Sequence, residues 1–92
     1  MRVLWNPDKE RTLAAERGIS LAEVADLIVT GKYLAVFDNP SRPSQAIFIV
    51  KYHRYTHVVP FVIDRDENIV LKTAYPSRKF HRMFGRRHED EA

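Results

Sequence analysis

Residues 46–63 read AIFIVKYHRYTHVVPFVI, and this stretch decides the fold. Two runs of β-branched and aromatic residues, Ala46 to Tyr52 and Tyr55 to Ile63, are separated only by His53-Arg54. Runs of this length and composition are typical of strands, and so short a connection makes the two strands antiparallel neighbours. The stretch therefore predicts a β-hairpin. Because Pro60 has no N–H to donate, we expect a bulge or an unpaired stretch there.

Two more strands are predicted on either side of the hairpin. Tyr33 to Phe37 precedes it, across a loop at residues 38–44 whose two prolines cannot join a ladder. Ile69 to Ala74 follows it, across a polar turn at residues 64–68. The short connections predict an antiparallel meander, and Arg2 to Trp5 is a further short strand candidate.

Two helices are predicted between the first strand and the meander. The first follows the N-cap Asn6 and Pro7, and ends at Gly18. The second has the strongest local signature in the chain, a capping box of Ser20 and Glu23 flanked by a hydrophobic staple. The staple pairs Ile19 with Val24.

These elements predict an α+β fold in a single domain. An antiparallel sheet of about four to five strands is packed by the two N-terminal helices, and a short basic helix follows at the C-terminus. The predicted parts are a strand with two helices at 1–31, the meander at 32–75, the basic helix at 76–87 and an acidic tail at 88–92.

Composition limits the class of protein. The 92 residues are 45% hydrophobic and include no cysteine, which favours one folded core over a disulfide framework or a thiolate metal site. No apolar run approaches the roughly 20 residues of a membrane span, and no signal peptide is visible. We expect a soluble, cytoplasmic protein.

The positive charge is concentrated near the C-terminus. Residues 1–71 carry nine Lys or Arg and nine Asp or Glu, whereas residues 72–87 carry six Lys or Arg and no acid. A net charge confined to one element favours a polyanionic partner such as RNA. A merely solvated basic face is the simpler alternative.

The last helix divides into two faces when Ser77 is taken as its N-cap. The spacing predicts that an apolar face docks the helix and that a basic face points outward. The apolar face consists of Phe80, Met83 and Phe84, and the basic face of Arg78, Lys79, Arg82 and Arg86, with Arg87 close behind. The residues predicted to bind RNA are Lys72, Arg82, Arg86 and Arg87.

The start of this helix is the candidate catalytic site. Arg78 and Lys79 lie in the first turn, where aligned N–H groups, the helix dipole and two cations suit a phosphate. Tyr75 and Lys72, at the end of the preceding strand, are candidates to orient a ribose 2′-hydroxyl. The guanidinium groups would stabilise the charge of the transition state.

Two of the four histidines are candidate proton-transfer groups. His57 lies on a predicted strand and His81 on the basic helix, and an imidazole titrates near neutral pH. The histidines do not have the spacing of a metal-binding pair, so we predict neither a metal nor another cofactor.

The order of these motifs resembles the BrnT-type toxins of bacterial type II toxin–antitoxin systems, which are small RelE-like ribonucleases. The matching segments are Trp5 to Lys9, Gly18 to Glu23, Phe37 to Pro40, and Ser77 to Lys79 with the basic residues that follow. The resemblance implies a compact sheet packed by two helices and metal-independent cleavage of RNA. It also implies neutralisation by a cognate DNA-binding antitoxin.

Two other functions agree with the same residues. In the first, the basic helix belongs to a non-catalytic module that docks nucleic acid or an acidic partner protein, with binding that weakens steeply as salt is added. In the second, the protein is a small subunit that uses the helix only for assembly. For the toxin itself, the partners expected are RNA and the antitoxin, in a dimer or a toxin–antitoxin hetero-oligomer.

Overall fold

The structure is a computed structural model that describes residues 1–91, with side chains described for residues 1–85. Three helices and a mixed sheet confirm the predicted α+β fold class. The elements are β1 (Val3–Trp5), α1 (Pro7–Arg17), α2 (Leu21–Val29), β2 (Tyr33–Asp38), β3 (Ala46–Tyr52), β4 (Tyr55–Ile63), β5 (Ile69–Leu71), β6 (Tyr75–Pro76) and α3 (Arg78–Glu91). None of these helices combines the length and the apolar character that a membrane crossing requires.

All six strands belong to one sheet, in the order β1-β5-β4-β3-β2, with β6 also paired to β4. The antiparallel pairs β2–β3, β3–β4 and β4–β5 form the predicted meander, and β1 lies parallel to β5. The sheet has one strand more than predicted because the segment from Ile69 to Ala74 leaves the ladder after Leu71. The chain rejoins β4 as the short strand β6.

Pro60 is accommodated without the predicted bulge. It pairs with Ile47 in a β3–β4 register that runs unshifted from residue 46 to residue 61. Its carbonyl oxygen accepts a hydrogen bond from the Lys72 N–H at 2.8 Å, so its backbone polar edge faces away from β3. On that side β4 pairs with β5 at 61–63 and with β6 at 57–58, and Pro60 lies between the two ladders. The missing N–H thus points to the side of β4 that lies away from β3, where Pro60 belongs to neither ladder, as expected for an unpaired stretch.

The caps of α1 and α2 are those that the sequence predicts, with one difference. The Asn6 side chain accepts from the Asp8 N–H, Gly18 has a positive φ of 65°, and the Ser20 side chain accepts from the Glu23 N–H. In a capping box the Glu23 carboxylate would bind the Ser20 N–H directly. Here the Tyr52 hydroxyl lies between them, accepting from Ser20 N at 2.9 Å and donating to Glu23 at 2.9 Å.

The sheet is covered on both sides. On one side, here called the α2 face, α1 and α2 pack on a core that contains Leu21, Val24, Ile28, Phe48, Val50, Val59 and Phe61. On the other, the α3 face, a smaller cluster of Ile47, Ile49 and Val58 packs against Phe80 and Phe84 of α3. Because β3 and β4 are buried on both faces, their sequences read as continuous apolar runs and do not alternate.

Helix α3 differs from the prediction in two respects. Met83 is 57% exposed and does not help to dock the helix, whereas Phe80, His81 and Phe84 are half-buried. The helix is rotated so that His81 reaches the sheet, which turns Met83 toward solvent. The backbone is helical as far as Glu91, so most of the predicted acidic tail continues the helix.

Candidate functional site

The first turn of α3 is attached to β4 through Ser77. The Ser77 N–H donates to the Thr56 carbonyl oxygen at 3.0 Å, and the Ser77 carbonyl oxygen accepts from the His81 N–H at 2.9 Å. The Ser77 hydroxyl also accepts from the Phe80 N–H at 3.2 Å, which confirms the predicted N-cap. This capping fixes where the helix begins relative to the strand.

His81 is the most firmly positioned of the predicted site residues. Its Nδ1 lies 3.3 Å from the Thr56 backbone nitrogen and 3.0 Å from the Thr56 hydroxyl. Because a backbone amide can only donate, Nδ1 is the acceptor and the neutral ring carries its proton on Nε2. The ring also stacks on Tyr55, with centroids 4.0 Å apart and planes at 17°. The strand therefore sets both the orientation and the tautomer of His81.

Arg78 lies beside this histidine on the surface. Its exposed side chain lines a shallow depression with Tyr55 and Pro76, with a cavity volume of about 380 Å³. Cations in the first turn of a helix oppose the macrodipole at about 0.3–1 kcal/mol each. Among the residues with described side chains, no carboxylate lies within 4.0 Å of Arg78 or Lys79 to offset that cost. A bound anion would supply the missing partner.

Two other predicted residues belong to this face. Lys79 is exposed, and its Nζ lies 5.4 Å from the centroid of the Phe80 ring. Tyr75 is 36% exposed and pairs with Val58, so it projects to the α3 face three residues before Arg78. Arg82 is exposed one turn further along α3. The side chains of Arg86 and Arg87, predicted to bind RNA, lie outside the described residues.

His57 is not brought together with Arg78. It pairs with Val50 and lies edge-on to Tyr52, with centroids 5.2 Å apart, which places it on the α2 face. Successive residues of a strand point to opposite faces, so Thr56 and Val58 point toward α3 while His57 points away. Burial lowers the pKa of His57, and the bond from its Nδ1 to the Tyr55 carbonyl only partly offsets this effect.

Lys72 lines a different depression from the one that Arg78 lines. It is exposed and lines a depression at the start of α1, together with Asn6, Asp8 and Lys9. The sequence places Lys72 and Tyr75 together at the end of one strand, but the chain leaves the ladder after Leu71 and Tyr75 belongs to the separate strand β6. Lys72 and Tyr75 therefore do not lie on one continuous strand.

Sequence reasoning missed Tyr55 and Thr56. They lie 26 and 25 positions from His81, and nothing local to either residue indicates this contact. One available signal was the alternation that places Thr56 on the same face as Val58. Within the side chains that are described, no three of His, Asp and Glu lie close enough together to hold a metal ion.

Comparison with solved structures identifies the fold. The crystal structure of the ribonuclease toxin BrnT from Brucella abortus superposes with a TM-score of 0.65 and 17% sequence identity, over 84% of this chain and 96% of that chain. No protein-family model matches the sequence, and a comparison with curated proteins finds no match. The chain therefore has the fold of a BrnT-type toxin, as the order of its motifs predicted.

Proposed function

We propose that this protein is the toxin of a type II toxin–antitoxin module and cleaves RNA at the start of α3 without a metal ion. The observation that carries the proposal is the juxtaposition of Arg78, free of any ion pair with the described residues, and His81, held by Thr56 and Tyr55. The fold is that of a protein described as a ribonuclease toxin, and this likeness supports the same proposal.

The proposed chemistry is transfer of the phosphoryl group to the neighbouring ribose hydroxyl. The 2′-oxygen attacks phosphorus, the bond to the leaving 5′-oxygen breaks, and a 2′,3′-cyclic phosphate and a 5′-hydroxyl result. Arg78 and Lys79 bind the phosphate and stabilise its additional negative charge. Tyr75 orients the 2′-hydroxyl, whose proton passes through water to the leaving 5′-oxygen. The Nε2–H of His81 donates a hydrogen bond to that oxygen and stabilises the charge that develops on it.

Purified protein in the presence of a chelator, incubated with a mixed-sequence RNA, tests the proposal. We expect cleavage by the wild-type chain, and a loss of about 10²-fold or more in the Arg78→Ala variant, because one electrostatic contact to the transition state is removed. Arg65→Ala is the matched control, since Arg65 is an exposed arginine in the turn at the far end of β4. Equal cleavage by Arg78→Ala and Arg65→Ala would contradict the proposal.

The same experiment separates the enzyme from the non-catalytic alternative. Arg78 and Lys79, which form no ion pair with the residues whose side chains are described, also favour a module that docks nucleic acid without cleaving it. Such a module would bind labelled RNA with an affinity that falls steeply with salt, and would yield no product. Cleavage products with 2′,3′-cyclic ends exclude it.

The proposal includes a protein partner, a cognate antitoxin that binds DNA. We expect a small neighbouring gene to encode it. Co-expression of that protein should relieve growth inhibition by the wild-type chain, and the two proteins should purify together. Growth inhibition that persists in the presence of every neighbouring small protein would contradict the assignment to such a module.

A further inference from the structure

The turn between β3 and β4, here called the hairpin tip, holds its two residues in an unfavourable conformation. Tyr52 pairs with Tyr55, so the loop consists of His53 and Arg54, with φ of 48° and 66°. Two positive φ angles in a two-residue hairpin loop define a type I′ turn, for which Asn-Gly is strongly preferred. Residues with a Cβ are strained in this region of φ, and such strain tends to persist where function requires the side chain.

A basic depression lies on the β3 side of the hairpin tip. Its cavity volume is about 440 Å³, and its lining includes Lys32, Lys51, His53 and Arg54 but no acidic residue. Lys32, Lys51 and Arg54 form no ion pair with any residue whose side chain is described. Lys32 and Arg54 are exposed, and neither has a carboxylate within 4.0 Å among those residues.

The hairpin tip also adjoins the proposed site on α3. Arg54 is followed directly by Tyr55, which lines the depression of Arg78 on the β4 side of the tip. Two basic depressions thus flank one narrow turn, and Arg54 and Tyr55 connect them. A polyanion seated on Arg78 would meet Arg54 as it passes over the tip.

The charges beside the basic depression determine on which side of the hairpin tip a bound polyanion would lie. The depression next to the basic one shares Leu27, Lys51 and His53 with it, but its other rim carries Glu23 and Asp26. Glu23 accepts hydrogen bonds from Tyr52 and from the His53 ring, which keep its pKa below the usual value and the carboxylate ionised. A phosphate chain is repelled from that rim and favoured on the side of Lys32.

We propose that a single strand of RNA bound at Arg78 continues across the hairpin tip, with Arg54 and Lys32 binding the phosphates that flank the cleavage site. This inference rests on the proposed function, because it extends the substrate of the same site. A flexible single strand can follow a narrow turn that a stiff duplex cannot, and proteins contact unpaired RNA through stacking and cationic grooves.

Salt titrations of binding test the inference independently of cleavage. The probe is a short mixed-sequence single strand that is 2′-O-methylated throughout, so it cannot react. For single strands the logarithm of the affinity falls with the logarithm of salt concentration by about 0.7 per phosphate contact. We expect Arg54→Gly to reduce that slope by about 0.7, Lys32→Ala to do the same, and Arg54→Lys and Arg65→Ala to leave it unchanged.

Measurements of the thermal midpoint show whether a variant that binds weakly is still folded. Glycine adopts positive φ without strain, so Arg54→Gly should raise the thermal midpoint while it weakens binding. If Arg54→Gly and Lys32→Ala bind with the slope of Arg65→Ala while Arg78→Ala still abolishes cleavage, the hairpin path is wrong and the proposed function stands. If their slopes fall but the wild-type chain cleaves no RNA, the path stands and the enzymatic proposal fails.

Discussion

The two faces of the sheet are built differently, although β3 and β4 contribute to both. The α2 face is a sealed core in which Leu21, Val24, Val50 and Val59 have no exposed surface. Its buried phenol, Tyr52, makes two hydrogen bonds at the cap of α2. The α3 face has a small apolar cluster and a rim of exposed cations. Stability is therefore concentrated on one face, and the other is left free to carry polar side chains.

The largest effect that separates the faces should come from the apolar core. Leu21→Ala should lower the free energy of unfolding by about 2–5 kcal/mol, because a fully buried side chain is replaced by a cavity. On the α3 face, Met83→Ala should change it by no more than about 0.5 kcal/mol, since Met83 is 57% exposed. Chemical denaturation of the two variants makes the comparison. Equal losses would mean that α3 is docked through Met83 after all.

A smaller effect should come from the hydroxyl that joins α2 to β3. Tyr52→Phe leaves the Ser20 N–H and the Glu23 carboxylate without this partner, and should lower the free energy of unfolding by about 1–2 kcal/mol. Tyr55 pairs directly with Tyr52 across the hairpin, so Tyr55→Phe is the matched control. It should be nearly neutral in thermal denaturation. If Tyr52→Phe leaves the free energy of unfolding unchanged, the Tyr52 hydroxyl does not stabilise the cap of α2.

The smallest effect should be a pH dependence that belongs to the α2 face alone. The folded protein holds the pKa of His57 below its ordinary value of about 6.5, chiefly because of burial and also because of the charge on His53. The unfolded chain therefore binds more protons than the folded one. The stability from neutral His57 is complete above about pH 6.5 and is lost progressively as pH falls below it.

Denaturation at several pH values between about 7.5 and 5.5 measures this dependence. His57→Gln should flatten the fall in stability at the acidic end, because the titrating group is removed. The same substitution at His53, which is exposed in the hairpin tip, is the control and should leave most of the fall in place. A wild-type chain whose stability is level over this range would contradict the burial of His57.

Much of the architecture could be predicted because the decisive signals are local. The bounds of β3 and β4 agree with the sequence since both strands end abruptly at a polar turn. The start of α2 follows from Ser20 and its staple. Where prediction failed, a distant contact decides the outcome. His81 rotates α3 by bonding to Thr56, 25 residues away, and Met83 is turned outward as a result.

The candidate site was only partly predictable for the same reason. The charge pattern locates Arg78 and Lys79 at a helix start, and the structure agrees. Because successive strand residues point to opposite faces, His57 and Val58 must lie on different faces of the sheet. This alternation does not say which of them faces the basic helix. That choice depends on how β6 pairs with β4, a contact that spans about 18 residues of chain and has no local signature.

A single cleavage assay that compares the two histidines shows which face of the sheet carries the chemistry. His81→Asn and His57→Asn are assayed with labelled RNA in chelator, at a temperature where circular dichroism confirms that both variants are folded. We expect a loss of about 10²-fold or more for His81→Asn and nearly wild-type cleavage for His57→Asn, because only His81 of the two lies on the α3 face. Loss of cleavage in His57→Asn with full activity in His81→Asn would place the chemistry on the other face and contradict this expectation.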